Sequence, residues 1–124
     1  MPALSAPRWI RDYYAALDER DLETAMTYFA PEASMKSNHN DPVVGSEAIA
    51  AQFKGMFDLF SRVDHELLSF WEPEPDVYVF EMNVTWERPG REPVVLPGAA
   101  VCRGSGERWV EQVVYADLAP AFAE

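Results

Sequence analysis

The sequence predicts an α+β fold: a cone-shaped, curved antiparallel sheet wrapped around three N-terminal helices, with an internal apolar pocket. Three observations carry this. Hydrophobic residues keep helical spacing up to about Val63 and alternate after it. The helical segments all precede four strands joined by short turns, so helix and sheet are segregated. The 124 residues are 48% apolar and include 7 Phe, 5 Tyr and 4 Trp, enough to bury a core. Such a sheet must bury one face, and a twisted sheet curled around a long helix leaves a hollow mouth.

The first helix is expected to start at Ser5, with Ala6 and Pro7 in its first turn. Trp9, Ile10, Tyr13 and Leu17 share one face, with Tyr14 beside it. Asp21 is placed to cap a second short helix with the apolar stripe Leu22, Ala25, Met26 and Phe29, ended by Pro31. Residues 33–37 read as a short strand, followed by the turn formers Asn38-His39-Asn40-Asp41-Pro42. Gly45 and Ser46 open a third helix, in which Ile49, Phe53, Met56, Phe57 and Phe60 form the cleanest amphipathic stripe of the chain.

The strands follow. His65 to Trp71 is the first, and Glu72-Pro73-Glu74-Pro75-Asp76 is a turn that proline keeps from pairing. From Val77 to Trp86, the residues Tyr78, Phe80, Met82, Val84 and Trp86 alternate with Val79, Glu81, Asn83 and Thr85, which gives one apolar face. Pro89-Gly90 turns the chain into a strand over 93–103, and Gly104-Ser105-Gly106 turns it into a last strand over 108–116. The tail, 117–122, leaves the sheet.

Charge narrows the partners. Ten Lys and Arg against 21 Asp and Glu give a net charge of −11, which argues against nucleic acid and against an anionic membrane surface. The acids cluster at Asp18, Glu19, Asp21 and Glu23 and at Glu72, Glu74 and Asp76, and read as a solvated shell. Asp41 and Asp117 are the acids whose positions bring a carboxyl near a cavity. Cys102 is the one cysteine, which excludes an internal disulfide and a cysteine-based zinc site. His39 and His65, 26 residues apart without a carboxylate at ligand spacing, predict no metal site. No stretch approaches the ~20 apolar residues of a membrane span, and Met1 to Arg8 has no signal-like run, so a soluble cytoplasmic protein is expected.

Several segments, in order, resemble the nuclear transport factor 2-like superfamily, which holds ketosteroid isomerases, SnoaL-like polyketide cyclases, limonene epoxide hydrolases and ligand-binding members. Tyr13-Tyr14-Ala15-Ala16-Leu17 before Asp21-Leu22 resembles its first-helix signature. Phe29-Ala30-Pro31-Glu32-Ala33 resembles its step into the first strand, and Gly45-Ser46-Glu47-Ala48-Ile49 its helix opening. Gly90, Val94-Val95 and Pro97 resemble the isomerase hairpin, and Tyr115-Ala116-Asp117-Leu118 the last strand of SnoaL-like members. The resemblance covers nearly the whole chain and implies a single domain over residues 1–124. It does not fix an activity, because this fold hosts several chemistries and many non-enzymes.

By resemblance, Tyr13 matches the isomerases' oxyanion-hole tyrosine, a donor for a developing enolate oxygen; it is equally read as a packed aromatic. The isomerase base corresponds to Ser37, which cannot act as a base at neutral pH. The second oxyanion acid falls in Gly98-Ala99-Ala100, which carries no polar side chain. Steroid isomerisation by that mechanism is therefore not expected. His39 or Asp41 would take over the lost base after a small loop shift, or else belong to a solvated loop. Asp117 continues the alternation Val113, Tyr115, Asp117 and matches the acid/base of SnoaL-like cyclases, or else caps the end of the sheet. His65 reads as a pocket ligand or as a satisfied strand histidine, and Cys102 as a small core residue.

The expected pocket walls are Tyr13, Ser37, Phe53, Phe57, Phe60, Met82, Val84 and Trp86, and the expected ligand is a hydrophobic small molecule. Proton-transfer chemistry of isomerase or cyclase type, without cofactor or metal, is one reading. Tyr13 would polarise an oxygen, and His39, Asp41 or Asp117 would move the proton. A non-catalytic binder and an interaction module remain as alternatives. The resemblance further implies a homodimer through the outer sheet face of Val79, Glu81, Asn83 and Thr85.

Overall fold

The computed structural model describes residues 5–123. Helix α1 spans Arg8–Asp18 and α2 Leu22–Met26; β1 spans Phe29–Ser37 and β2 Val43–Val44. Helix α3 (Ser46–Leu59) leads into β3 (Arg62–Glu74), β4 (Val77–Glu87), β5 (Val94–Gly104) and β6 (Trp109–Tyr115), and a 3-10 turn, Ala119–Phe122, follows. The six strands form one curved sheet in the order β2-β1-β6-β5-β4-β3, antiparallel throughout except where β1 runs parallel to β6. This is the expected α+β cone; the parallel β1–β6 junction was not foreseen.

Burial follows the predicted periods. Tyr78, Phe80, Met82 and Val84 of β4 are buried while Val79, Asn83 and Thr85 are only partly covered and Glu81 is exposed. Helix α1 buries Trp9, Ile10, Tyr13, Tyr14, Ala16 and Leu17. Trp109 lies at the centre of the core, with rings of Trp9, Tyr13, Tyr78 and Phe80 around it. Helix α3 buries only Ile49 and Phe53; Met56 borders a cavity and Phe57 lies against Arg20.

Several boundaries differ from the expectation. Helix α1 begins at Arg8, with Pro7 extended (ψ 150°) as its cap, whose carbonyl accepts from the N–H of Ile10 and Arg11. Helix α2 stops at Met26, not at Pro31. Strand β1 starts early because Trp109 donates its N–H to the Tyr28 carbonyl and pairs with Phe29. Pro31 then falls in a gap of the β1–β6 ladder, between Phe29 and Ser34, where no donor is required. Likewise β3 runs on to Glu74, and Pro73 sits in a register shift between Trp71 and Glu74. The β3–β4 turn narrows to Pro75-Asp76, with Asp76 at φ 66°.

Arg20 ties the helices together. It follows α1 with φ 62° and donates to the carbonyls of Phe57 and Phe60, which α3 leaves without intrahelical partners. Its guanidinium also lies 4.8 Å from the centroid of the Phe57 ring. Among the described residues no helix is long and apolar enough to cross a membrane.

Candidate functional site

The curled sheet, α1 and α3 enclose a cavity of about 430 Å³. Its sheet wall takes residues from five strands: Met35 and Ser37 of β1, His65 of β3, Met82, Val84 and Trp86 of β4, Leu96 and Gly98 of β5, and Gln112 and Val114 of β6. Tyr13, Tyr14 and Leu17 enter from α1, and Phe53 and Met56 from α3. Phe60 gathers Trp86 (4.9 Å between ring centres) and Phe122 (5.5 Å) at one end. Arg88 donates to the Ala123 carbonyl and so fastens the segment carrying Phe122.

The wall is apolar apart from a few groups. Among the described residues its titratable side chains are Tyr13, Tyr14 and His65. The rings of Tyr13 and Tyr14 lie 4.7 Å apart, and that of Tyr14 lies 4.8 Å from the imidazole of His65. Burial pushes both phenols well above their ordinary 10.0, with the nearby charge of Asp18 adding a smaller push. Gln112, beside Tyr13, works against that shift. Both hydroxyls therefore stay protonated across the physiological range, on residues that line the cavity.

His65 does not hang free on β3. Its Nδ1 lies 2.6 Å from Asp18 Oδ1, and its backbone N–H donates to Asp18 Oδ2 at 2.8 Å. The two side chains are only 11% and 19% exposed. His65 also borders a second cleft, on the far side of the pair, lined by Arg11, Asp18 and Ser69 among others. The pair thus stands between the cavity and a cleft opening outward.

Tyr13, Ser37, Phe53, Phe60, Met82, Val84 and Trp86 all border the cavity. Phe57 does not; its ring is turned to Arg20. His39 and Asp41 lie exposed outside the wall. The cause is Asn38, whose backbone takes φ 53° and turns the chain outward. Its side chain holds that turn, donating to the Ala116 carbonyl (2.7 Å) and accepting from the Ala116 N–H (3.0 Å). Asp117 is exposed and outside the wall as well, because the inward row of β6 is Gln112 and Val114, not Val113 and Tyr115. Its Oδ1 accepts from the Ala119 N–H and caps the 3-10 turn.

Asp18, Tyr14, Asn38 and Gln112 were not foreseen as site residues. Asp18 was read as part of a solvated acidic cluster, but it is half-buried against β3. A signal existed for it: Asp18 lies four residues after Tyr14, hence on the same helical face. Gln112 was visible as an amide in an apolar alternation. Among the described residues no three His, Cys, Asp or Glu side chains come together to hold a metal ion.

Comparison with known proteins agrees with this architecture. The SnoaL-like domain family profile matches residues 10–112. No protein with a curated description matches the sequence. Among solved structures, a hypothetical protein with a ketosteroid isomerase-like fold from Catenulispora acidiphila, in complex with trimethylamine, superposes with a TM-score of 0.82 at 18% identity, covering 92% of this chain and 88% of that one. A protein described as a SnoaL-like polyketide cyclase from Shewanella putrefaciens gives 0.77 at 17% identity, covering 91% and 92%. TerC co-crystallised with polyporic acid gives 0.80 at 13% identity, covering 90% and 91%. At these identities the likeness is one of fold.

Proposed function

The chain belongs to the SnoaL-like domain family, and on that premise we propose that it binds a hydrophobic carbonyl compound in the cavity and transfers a proton on it, as an isomerase or cyclase does. The observation that carries this reading is the His65–Asp18 pair at the cavity wall. A carboxylate only accepts, so Nδ1 carries the hydrogen that faces Asp18, and in the neutral ring the lone pair is then on Nε2. That makes His65 Nε2 the base of the proposed reaction, a task for which His39, Asp41 and Asp117 lie outside the wall. The ligands named for the Catenulispora acidiphila protein and for TerC support a small organic molecule in a cavity of this kind.

In the proposed step Nε2 removes a proton from the carbon beside the carbonyl. The C–H electron pair forms the enolate double bond, and the carbonyl π pair moves onto oxygen, where a Tyr13 or Tyr14 hydroxyl donates. Asp18 stabilises the imidazolium so formed. Where a C=C adjoins that carbon, return of the proton to the far end of the C=C, as the double bond shifts toward the carbonyl, completes an isomerisation. Attack of the enolate carbon on a second carbonyl of the same molecule closes a ring, and the resulting alkoxide takes the proton back. The outward cleft beside Asp18 gives His65 a route for proton exchange with solvent.

Deuterium uptake tests this. A hydrophobic methyl ketone incubated in heavy water with the protein should gain deuterium beside its carbonyl faster than in buffer, and His65→Gln should return the rate to background. Uptake equal to buffer, or unchanged by His65→Gln, leaves a binding protein in place of an enzyme.

A second reading concerns assembly. Trp71, Val79, Val101 and Val113 align across β3, β4, β5 and β6 on the outer face, with exposed Tyr115 and Val95 nearby. Such an apolar row supports a homodimer through that face. Sedimentation equilibrium should give twice the chain mass, and Val101→Glu should halve it; a monomer at all concentrations removes the reading.

A further inference from the structure

Two large apolar side chains among the described residues are both exposed and on the cavity wall: Leu59, 55% exposed, and Phe122, 47% exposed. A side chain that meets the cavity and also meets water marks the boundary between them. An apolar rim of this kind is where a hydrophobic molecule first leaves water. Leu59 ends α3, and Phe122 stands on the segment that follows β6.

The two sides of this rim are held differently. Leu59 lies between Phe57 and Phe60, whose carbonyls both accept from Arg20, and Phe60 is buried. That side is fixed on both flanks. The other side is a strap, residues 117–123. Its start is firm, because Asn38 bonds both the N–H and the carbonyl of Ala116. Beyond that point Asp117 is exposed, and its side chain bonds within the strap, to the Ala119 N–H. Leu118 borders the cavity, Ala121 is buried, and Phe122 meets Phe60 edge to face. At the far end the Ala123 carbonyl accepts from Arg88 and from Arg91, both in the β4–β5 turn. Among the described residues the strap joins no strand ladder, and its own backbone bonds are the short pairs Ala121 to Leu118 and Ala123 to Pro120.

A segment held by an aromatic contact, a small buried residue and one terminal carbonyl opens at a lower free energy than a strand inside the sheet. We infer that the strap is the gate of the cavity. It pivots at Asp117, Arg88 and Arg91 latch it at Ala123, and lifting Phe122 off Phe60 opens the way past Leu59 for the ligand. The inference rests on the reading that the cavity takes a hydrophobic molecule, and it adds how that molecule enters and leaves.

The probe for the test is prodan, an uncharged fluorescent ketone, whose association and dissociation rates on the full chain are read by stopped-flow fluorescence. The latch lies at the end of the strap, outside the cavity wall. Arg88→Ala combined with Arg91→Ala therefore raises the open fraction by the same factor whether the cavity is empty or filled. Both rates should rise together by about tenfold, the scale of one or two lost hydrogen bonds, with the equilibrium affinity unchanged. In the unmutated protein, which needs no variant to fold, the Ala121 amide should exchange with heavy water faster than the amides of β6, and bound prodan should slow it. Rates that ignore the latch variant, an affinity change without matched changes in both rates, or an Ala121 amide as slow as those of β6 overturns the inference. Prodan carries hydrogens beside its carbonyl, so the same ligand reads deuterium uptake. Binding without uptake, with both rates following the latch, would refute the proposed reaction and keep the gate. Uptake with latch-independent rates would do the reverse, and no binding of prodan would refute the gate together with the hydrophobic ligand.

Discussion

Asp18 grips His65 at two points, its Oδ1 2.6 Å from the imidazole Nδ1 and its Oδ2 accepting the backbone N–H of the same residue at 2.8 Å. One contact sets the ring's tautomer and the other fixes its position on β3, an edge strand whose backbone groups lack a neighbour on that side. Asp18 is also the last residue of α1, where the helix dipole disfavours a negative charge. Its two bonds to His65 offset that placement.

Asp18→Asn should therefore abolish proton transfer while leaving the fold in place. The amide can turn its N–H₂ toward Nδ1, which moves the imidazole hydrogen to Nε2 and removes the base. Deuterium uptake by a bound ketone should fall by about a hundredfold or more, the usual span of general-base catalysis. Ketone affinity should change little. Full activity in Asp18→Asn would show that the carboxylate does not orient His65.

Tyr13→Phe should weaken ketone binding by ~1 kcal/mol or more, the scale of one lost hydrogen bond. Tyr14→Phe tests the other phenol in the same way, and the larger loss identifies the one that meets the carbonyl. Titration calorimetry reads both, and an unchanged affinity in both variants would exclude a phenol donor.

Alkaline pH should unfold the protein through its buried acids. Burial holds Tyr13 and Tyr14 well above their ordinary 10.0 and raises the Cys102 thiol from 9.0 to about 12. While these groups are neutral in both states, their raised values leave stability unchanged. Above 9.0 for the thiol and 10.0 for the phenols, only the unfolded chain ionises freely, so stability falls as pH rises through those values. Urea midpoints should be insensitive to these groups below pH 9 and drop beyond it, with tyrosinate absorbance of the buried pair rising only as the chain unfolds. Stability that stays constant to pH 12 would contradict this.

Asn38→Gly should isolate the clamp at the end of β1. Glycine tolerates the φ of 53°, so the backbone stays as it is, while both side-chain bonds to Ala116 are lost. Two partly buried hydrogen bonds at about 1 kcal/mol each imply a destabilisation of ~2 kcal/mol in urea unfolding. A variant as stable as the parent would mean that the backbone pairing of β1 with β6 suffices.

Much of this molecule follows from period and order along the chain. The change from helical spacing to alternation near Val63 separates helices from sheet, and the β4 alternation names the inward wall of Met82, Val84 and Trp86. Ile49 and Phe53 declare the buried face of α3. These are local signals, since each element's apolar face repeats within its own residues. The site's polar centre is not local. Asp18 and His65 lie 47 residues apart and meet only because α1 packs its last turn on β3. Asn38 and Ala116 lie 78 apart and meet only through the parallel β1–β6 junction. Whether an acid joins the solvated shell or the cavity, and whether a loop histidine turns in or out, depends on which distant backbone group holds it. Periodicity carries no information about such pairings, so the sequence determined the cone and its apolar lining, and the tertiary structure alone decided which polar groups face the cavity.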